Sequence, residues 1–331
     1  MNEIHNQFIE RCFQLAEKGR GLTKSNPIVG AVLVYNGKII SEGFHAEFGG
    51  AHAEVNCIKN IDNQEVLSNS TLYISLEPCN YHGKTPACTN LILNKGIQKV
   101  VVGSADFNPK VKNQGIDYLR SQEIDVVNLN LIENQKQLNI SFFINQVKNE
   151  PYFIGKIAFS NDKYIGREGD VVKITSREID TLSHKLRSEC DAILVGKNTW
   201  LNDKPKLDIR HYYSENQPDI IVLSNNSLEI ESDFNRKIIN IHTVDSPESL
   251  KRRLFELGYR KILVEGGAEV FDYFMKHQIL HEIYTIQNNI LTLNRGIQFT
   301  DIQCNKYTLK STQILFNQTI NQYFRNGLFD M

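Results

Sequence analysis

Ile4, Phe8, Cys12, Leu15 and Ala16 recur at helical spacing and predict an amphipathic N-terminal helix, which Gly19 and Gly21 can end. The pattern then changes to short apolar runs. In "AVLVYNGKIISEG" two runs meet at Asn36-Gly37, a type I′ hairpin signal. "AHAEVNCIKN" returns to helical spacing, and "STLYISLEP" reads as a strand running into a loop. "ACTNLILNKG" is a helix closed by Gly96. "KVVVG" is a buried strand, and a helix and a strand follow through "IDYLRSQEIDVVNL". "LIENQKQLNISFFINQVKN" predicts one more helix, broken at Pro151. Strands alternating with helices indicate a layered α/β sheet.

The alternation then restarts, so a domain boundary is expected near Lys148, giving domains 1–147 and 148–331. "YFIGKIAFS" predicts a strand, and "TSREIDTLSHKLRSEC" a helix with Thr175 and Glu178 spaced as a capping box. "DAILVG" and "DIIVLS" are short apolar strands. "SPESLKRRLFELG" is a helix with Ser246 as N-cap, Pro247 first and Gly258 past its end. "KILVEGGAEVFDYFMK" reads as strand, Gly-Gly turn, helix.

A length of 331 residues fits two cores rather than one. Hydrophobic residues at 41% and charged residues at 23% are ordinary for a globular protein, and a formal charge of -1 gives no global field favouring nucleic acid or membranes. The N-terminus lacks the apolar stretch of a signal peptide, and no run approaches the roughly 20 apolar residues that span a bilayer. A cytoplasmic location is the default expectation, with reduced thiols. Cys12, Cys57, Cys190 and Cys304 are expected to be packing residues.

The stretch "LEPCNYHGKTPAC" sets Cys79 and Cys88 across a short loop. One reading is two small buried side chains in a Gly/Pro loop. The other is a pair of zinc thiolates, with His52 as third ligand and an open fourth position for water. His52 and Glu54 open a predicted helix. Zinc would lower the water's pKa toward about 7. Glu54, not needed as a ligand, could take its proton and pass it to a leaving amine. The order H-x-E, P-C, Cys is the signature of zinc nucleobase deaminases. A closed structural zinc site would have no use for Glu54. Deamination of nucleic acid would favour a basic, aromatic-lined groove, and no such stretch is evident.

The long loop between the cysteines resembles the form found in the bifunctional deaminase–reductases of riboflavin biosynthesis. "NPIVGAVLV", "GFHAEFGGAHAEVNCI" and "DFNP" match that family in the same order, and the resemblance covers nearly the whole chain. It implies a cytidine-deaminase-like three-layer α/β/α domain followed by a dihydrofolate-reductase-like α/β domain. The first would hydrolyse an amino group of 2,5-diamino-6-ribosylamino-4(3H)-pyrimidinone 5′-phosphate. Asn26, His45, Lys84, Asp106 and Asn108 would line its substrate site, with Lys84 meeting the phosphate. His82 has no assigned role, and Phe107 stands where the family has Pro. The resemblance also suggests a homo-oligomer.

In the second half, the two glycines of "VEGGAEVF" let a phosphate approach a helix N-terminus, and no G-x-G-x-x-G marks an ordinary Rossmann domain. "LRSECDAILVGKNTWLNDKPKLDIR" resembles the reductase half, which uses NADPH to open the ribosyl ring to a ribityl chain. The resemblance places Ala158, Lys173, Thr199, Asp203 and Gly267 at the cofactor. It places Lys156, Arg187, Leu207, Arg210 and Glu265 at the substrate, with both arginines as phosphate clamps. Departures cluster here. The family's S-L-D-G is Ser160 to Lys163, with Asn161 and Lys163 new. Val171 and Lys173 replace a Ser and a Trp, and Ser224-Asn225 replaces Asp-Ser. They bear on cofactor affinity, and leave a deaminase with an inactive or altered second domain as the alternative.

Overall fold

The computed structural model describes residues 2–81, 86–108, 111–167, 169–170, 172–214, 217–228, 236–242 and 246–330. Two compact units, Met1–Lys148 and Asn149–Met331, divide the chain. The first runs α1 (Asn2–Glu17), β1 (Gly30–Tyr35), β2 (Lys38–Phe44), α2 (Ala53–Ile58), α3 (Gln64–Ser68), β3 (Thr71–Ile74), α4 (Cys88–Asn94), β4 (Lys99–Val102), α5 (Gln114–Ser121), β5 (Asp125–Asn128) and α6 (Ile132–Lys148).

Asn36 and Gly37 take φ values of 48° and 73°, the left-handed conformation that the type I′ turn between β1 and β2 requires. The sheet order is β2-β1-β3-β4-β5. β1 is antiparallel to β2 and β3, while β3, β4 and β5 are parallel. The two-residue period of the strands sorts their side chains into two cores. Ala31, Leu33, Leu72, Ile74, Val100 and Val102 pack with α2, α4 and α5 on one face. Val32, Val34, Tyr73 and Val101 pack with α1 and Leu138 of α6 on the other. This is the three-layer arrangement expected of a cytidine-deaminase-like domain. Ile4, assigned to the buried stripe of α1, is exposed. The short helix α3, capped by Asn63 accepting from the Val66 N–H, escaped the sequence pattern.

The second unit contains β6 (Tyr152–Phe159), β7 (Tyr164–Gly166), α7 (Arg177–Ser188), β8 (Ala192–Gly196), a π-helical turn (Thr199–Asp203), β9 (Asp219–Leu223), β10 (Ile238–Ile241), α8 (Pro247–Glu256), β11 (Lys261–Val264), α9 (Ala268–Lys276), β12 (Glu282–Asn288), β13 (Ile297–Gln298), β14 (Tyr307–Leu315) and β15 (Gln318–Arg325). Its main sheet has the order β10-β9-β8-β11-β6-β12-β15-β14. The first six strands are parallel, and β15 and β14 close the sheet as an antiparallel hairpin. This mixed sheet fits the dihydrofolate-reductase-like domain expected. Phe153, Ile157 and Phe159 of β6 enter the larger core with α8 and α9. Ala158 lies on the opposite side with Ile179 of α7.

Two local expectations are corrected. No capping box forms at Thr175: α7 begins after Ser176, and the Thr175 hydroxyl donates to the Asp180 carboxylate at 2.7 Å instead. Cys304 is exposed, whereas Cys12, Cys57 and Cys190 are buried. At α8 the Ser246 hydroxyl does accept from the Ser249 N–H, and Gly258 takes φ 96° beyond its end.

Candidate active sites

His52 is the N-cap of α2, with an extended backbone (φ -69°, ψ 165°), and its side chain makes no cap hydrogen bond. Cys79 follows β3, and Cys88 opens α4. The loop between the cysteines is tied at its ends. The Thr89 N–H donates to the Cys79 carbonyl at 3.2 Å, and the Thr89 hydroxyl to Asn80 at 2.9 Å. His52 Nδ1 therefore lies 3.2 Å from Cys88 Sγ and 3.6 Å from Cys79 Sγ. All three donor atoms fall within 4.8 Å of one another. A tetrahedral zinc with bonds of about 2.0–2.3 Å has donor-to-donor edges of roughly 3.3–3.8 Å. One imidazole and two thiols at this spacing fit that ion. The Cys88 hydrogen bond pulls Cys79 down to about 4, while Cys79 and burial push Cys88 far up.

Glu54, in the first turn of α2, is buried, and burial together with the Cys79 charge raises its carboxyl to about 7. Asn26 and His45 come to the same place. His45 Nδ1 lies 3.0 Å from the Ala51 carbonyl, which makes it the protonated nitrogen. Nε2, 3.2 Å from Asn26 Nδ2, is then the acceptor. Burial lowers its pKa. The rings of His45 and His52 stand edge to face at 5.4 Å. Asp106 lies in the loop after β4, accepting from the Asn108 N–H at 2.7 Å. Burial, and the nearby Glu77 and Cys79 charges, raise it to about 6 although the Asn108 bond opposes this. Asn108 spends one amide hydrogen on Gln146, at 3.1 Å. Lys84 and His82 lie outside the described residues.

The sequence reading missed two residues that hold these loops. Glu77, three residues after β3, accepts hydrogen bonds from the backbone at Asp106, Asn113, Gly115 and Ile116. Asn139 interrupts α6 with φ -121° and ψ 29°. Its side chain pairs with both backbone groups of Ile28, two residues from Asn26, at 2.8 and 2.9 Å. The only sequence signals were an acid before Pro-Cys and an Asn inside a helical pattern.

In the second unit the β6 pleat puts Lys156 and Ala158 on one face. Glu265, just past β11, sits between Lys156 (3.0 Å) and Arg187 of α7 (2.6 Å). Burial would raise the Glu265 carboxyl, but the two cations hold it at about 2. Arg187 is bidentate to Glu265 and donates also to the Asp208 carbonyl at 2.9 Å. Its fork is thus committed to the protein, unlike the open phosphate clamp expected of it. Arg210 is half-exposed and paired with Asp208, and its N–H donates to His184 at 3.3 Å. Leu207 (φ 49°) turns its side chain into the core beside Ile193 and Val195, and its carbonyl accepts from Arg236 at 2.7 Å.

Thr199 and Gly267 meet: the Gly267 N–H donates to the Thr199 hydroxyl at 3.1 Å at the start of α9. A Cβ on Gly266 would press on Val270, and one on Gly267 on Thr199. This bare backbone at a helix start suits a phosphate-bearing cofactor. Asp203, at the end of the π turn, is exposed, and partial desolvation raises its pKa. Lys173 points instead to Asp180, at 2.7 Å. The altered loop keeps a dense network. Asp162 accepts from the Ser160 hydroxyl (2.6 Å) and from the N–H groups of Leu293 (3.0 Å) and Asn294 (2.7 Å). Lys163 adopts φ 62° and reaches Asp301 at 2.7 Å. Ser224 accepts from Asn240 at 2.9 Å. Val171 lies outside the described residues.

Residues 2–104 match the family described as the cytidine and deoxycytidylate deaminase zinc-binding region, and residues 151–315 the RibD C-terminal domain. The riboflavin biosynthesis protein RibD of Aquifex aeolicus is 33% identical over 312 residues, 86% of each chain. That of Bacillus amyloliquefaciens is 32% identical over 312 residues, 85% of this chain and 83% of its own. A Thermotoga maritima structure, a diaminohydroxyphosphoribosylaminopyrimidine deaminase/5-amino-6-(5-phosphoribosylamino)uracil reductase, is 30% identical and superposes with a TM-score of 0.84 over 98% of this chain and 99% of its own. Acinetobacter baumannii RibD, 22% identical, shares the fold with a TM-score of 0.87, covering 98% and 99%. Among the described residues no helix is long and apolar enough to cross a membrane.

Proposed function

We infer that this chain, which belongs to the RibD family of riboflavin biosynthesis proteins and joins a deaminase to a reductase, acts in two steps on one phosphorylated pyrimidine. The first unit would hydrolyse an amino group of 2,5-diamino-6-ribosylamino-4(3H)-pyrimidinone 5′-phosphate, releasing ammonia. The second would reduce the ribosyl group of the product to a ribityl chain. The observation that carries this reading is the His52, Cys79 and Cys88 donor cluster with buried Glu54 beside it.

Zinc held by those three donors would supply Lewis acidity and a nucleophilic water at neutral pH. Glu54 takes the water's proton on its carboxylate and gives it to the departing amine. A buried carboxyl beside the donor cluster is placed for both halves of that transfer. Asn26, His45, Asp106 and Asn108 bind and orient the heterocycle. Lys84 is assigned to the phosphate. In the second unit bound NADPH would supply the hydride. Thr199, Asp203, Ala158, Lys173 and the Gly267 turn are assigned to hold the cofactor. Lys156, Leu207, Arg210 and Glu265 are assigned to orient the sugar phosphate, chiefly by positioning, with Arg187 acting through Glu265, which it holds bidentately. Six free cysteines suit a reducing compartment, so we place the protein in the cytoplasm; the family resemblance alone suggests a homo-oligomer.

The test is to give the zinc-loaded chain this substrate with and without NADPH and follow products by mass spectrometry. Deamination alone without NADPH, and the ribityl product with it, is the expected result. Ammonia release with a ring that stays closed in NADPH would overturn the second assignment, and no ammonia the first.

A further inference from the structure

Glu77 is nearly buried, yet its charge is met by backbone amides. Oε2 accepts from the N–H groups of Asp106 (2.9 Å) and Asn113 (2.8 Å), and Oε1 from those of Gly115 (2.8 Å) and Ile116 (3.2 Å). Three of these donors open α5. Asn113, the formal N-cap, is left-handed at φ 64° and its side chain caps nothing. A Ser or Asp at that position would cap a helix more simply. What a carboxylate from another element adds is the fourth bond, to Asp106. Glu77 also ties its own N–H to the Ser104 carbonyl at 2.9 Å.

One side chain thus registers three segments: the loop carrying Cys79, the loop carrying Asp106 and Asn108, and the first turn of α5. Gly115 closes the joint, since a Cβ there would overlap the Pro78 carbonyl.

We propose that Glu77 is a positioning residue of the deaminase, setting Asp106 and Asn108 against the metal-donor cluster. The proposal rests on the deaminase reading of this site. Charge-assisted bonds to backbone amides are short and directional. Rotating the Asp106 amide out of this bond displaces its carboxylate from the heterocycle.

The experiment uses the full zinc-loaded chain and ammonia release from the diaminopyrimidinone substrate. Glu77→Gln presents its amide hydrogens to two of the four donors, so one pair of bonds is lost. The expected result is unchanged zinc content and a KM raised about tenfold or more, with kcat altered far less. Glu77→Asp keeps the charge but falls one methylene short, and should raise KM by less. In the Glu77→Gln, Asp106→Ala double variant the two KM effects should not multiply, because one acts through the other. An unchanged KM with lower kcat per chain marks a merely structural residue and overturns the proposal. So do multiplying effects, or failure of both single variants to fold. An inactive wild-type chain instead refutes the deaminase reading itself.

Discussion

Glu265→Gln removes the one anion between Lys156 and Arg187, whose side chains are only 14% and 12% exposed. Two routes give the magnitude. The carboxyl is held at about 2 against an ordinary 4.5, which corresponds to about 3 kcal/mol at pH 7. Removing one partner of a buried ion pair generally costs about 3–5 kcal/mol. Trp200, the chain's single tryptophan, packs on the Ile193, Val195, Ile220 and Val222 cluster and reports on this unit alone. With a slope of about 2 kcal/mol/M, its urea transition should move down by about 1.5 M at pH 7. The sign of the pH dependence follows. A carboxyl lowered by folding stabilises above its unfolded value, and that stabilisation is lost as pH falls from about 4.5 toward 2. The gap between wild type and variant should therefore shrink by about 2 kcal/mol between pH 5 and pH 3. A midpoint shift below about 0.3 M, or a gap that does not change with pH, would refute the triad's electrostatic role.

Glu54→Gln should keep zinc but lower ammonia release by about 10³-fold, since an amide cannot take up and hand on the proton; turnover near wild type would remove the assigned role. Cys79→Ser should lose the metal, and full zinc by elemental analysis would show the wrong ligand had been chosen. Asn139→Ala strips both partners from the buried Ile28 backbone and should cost about 2–4 kcal/mol, read as faster thermal loss of deaminase activity. Lys163→Gly relieves a left-handed lysine but gives up an exposed ion pair to Asp301. Its net effect on stability should stay within about 1 kcal/mol, with KM for NADPH unchanged, and a tenfold rise in that KM would show Lys163 in the cofactor site.

The donors of the first site were legible because each announces itself locally. His52 and Glu54 share one helix start, Cys88 opens another, and the Gly/Pro loop spans the gap. The short apolar runs likewise foretold β1, β3 and β4 as strands, though not which residues face which layer. What stayed hidden depends on partners remote in sequence. Glu77 acts on Gly115, 38 residues on, and Asn139 on Ile28, 111 residues back. Neither carries a spacing signal. The strands after Lys276 were missed for a related reason. β14 is a largely exposed edge strand with little apolar alternation, and its turn to β15 uses Phe316 and Asn317 at φ 49° and 59°, without the usual Gly.

The same distance effect changes what the departures in the second unit mean. Taken one by one in sequence, a lysine for a glycine at 163 and an asparagine at 161 weaken a cofactor loop. In the fold, Asp162 is gripped by Ser160 and by backbone 131 and 132 residues further on, and Lys163 is anchored 138 residues away. A left-handed residue costs roughly 1 kcal/mol when it is not glycine. That is small beside the three hydrogen bonds that fix Asp162, from the Ser160 hydroxyl and the backbone N–H groups of Leu293 and Asn294. The backbone N–H groups of Leu293 and Asn294, held by Asp162, set the loop's shape, so Asp162→Ala should disturb cofactor binding more than restoring glycine at 163 would help it.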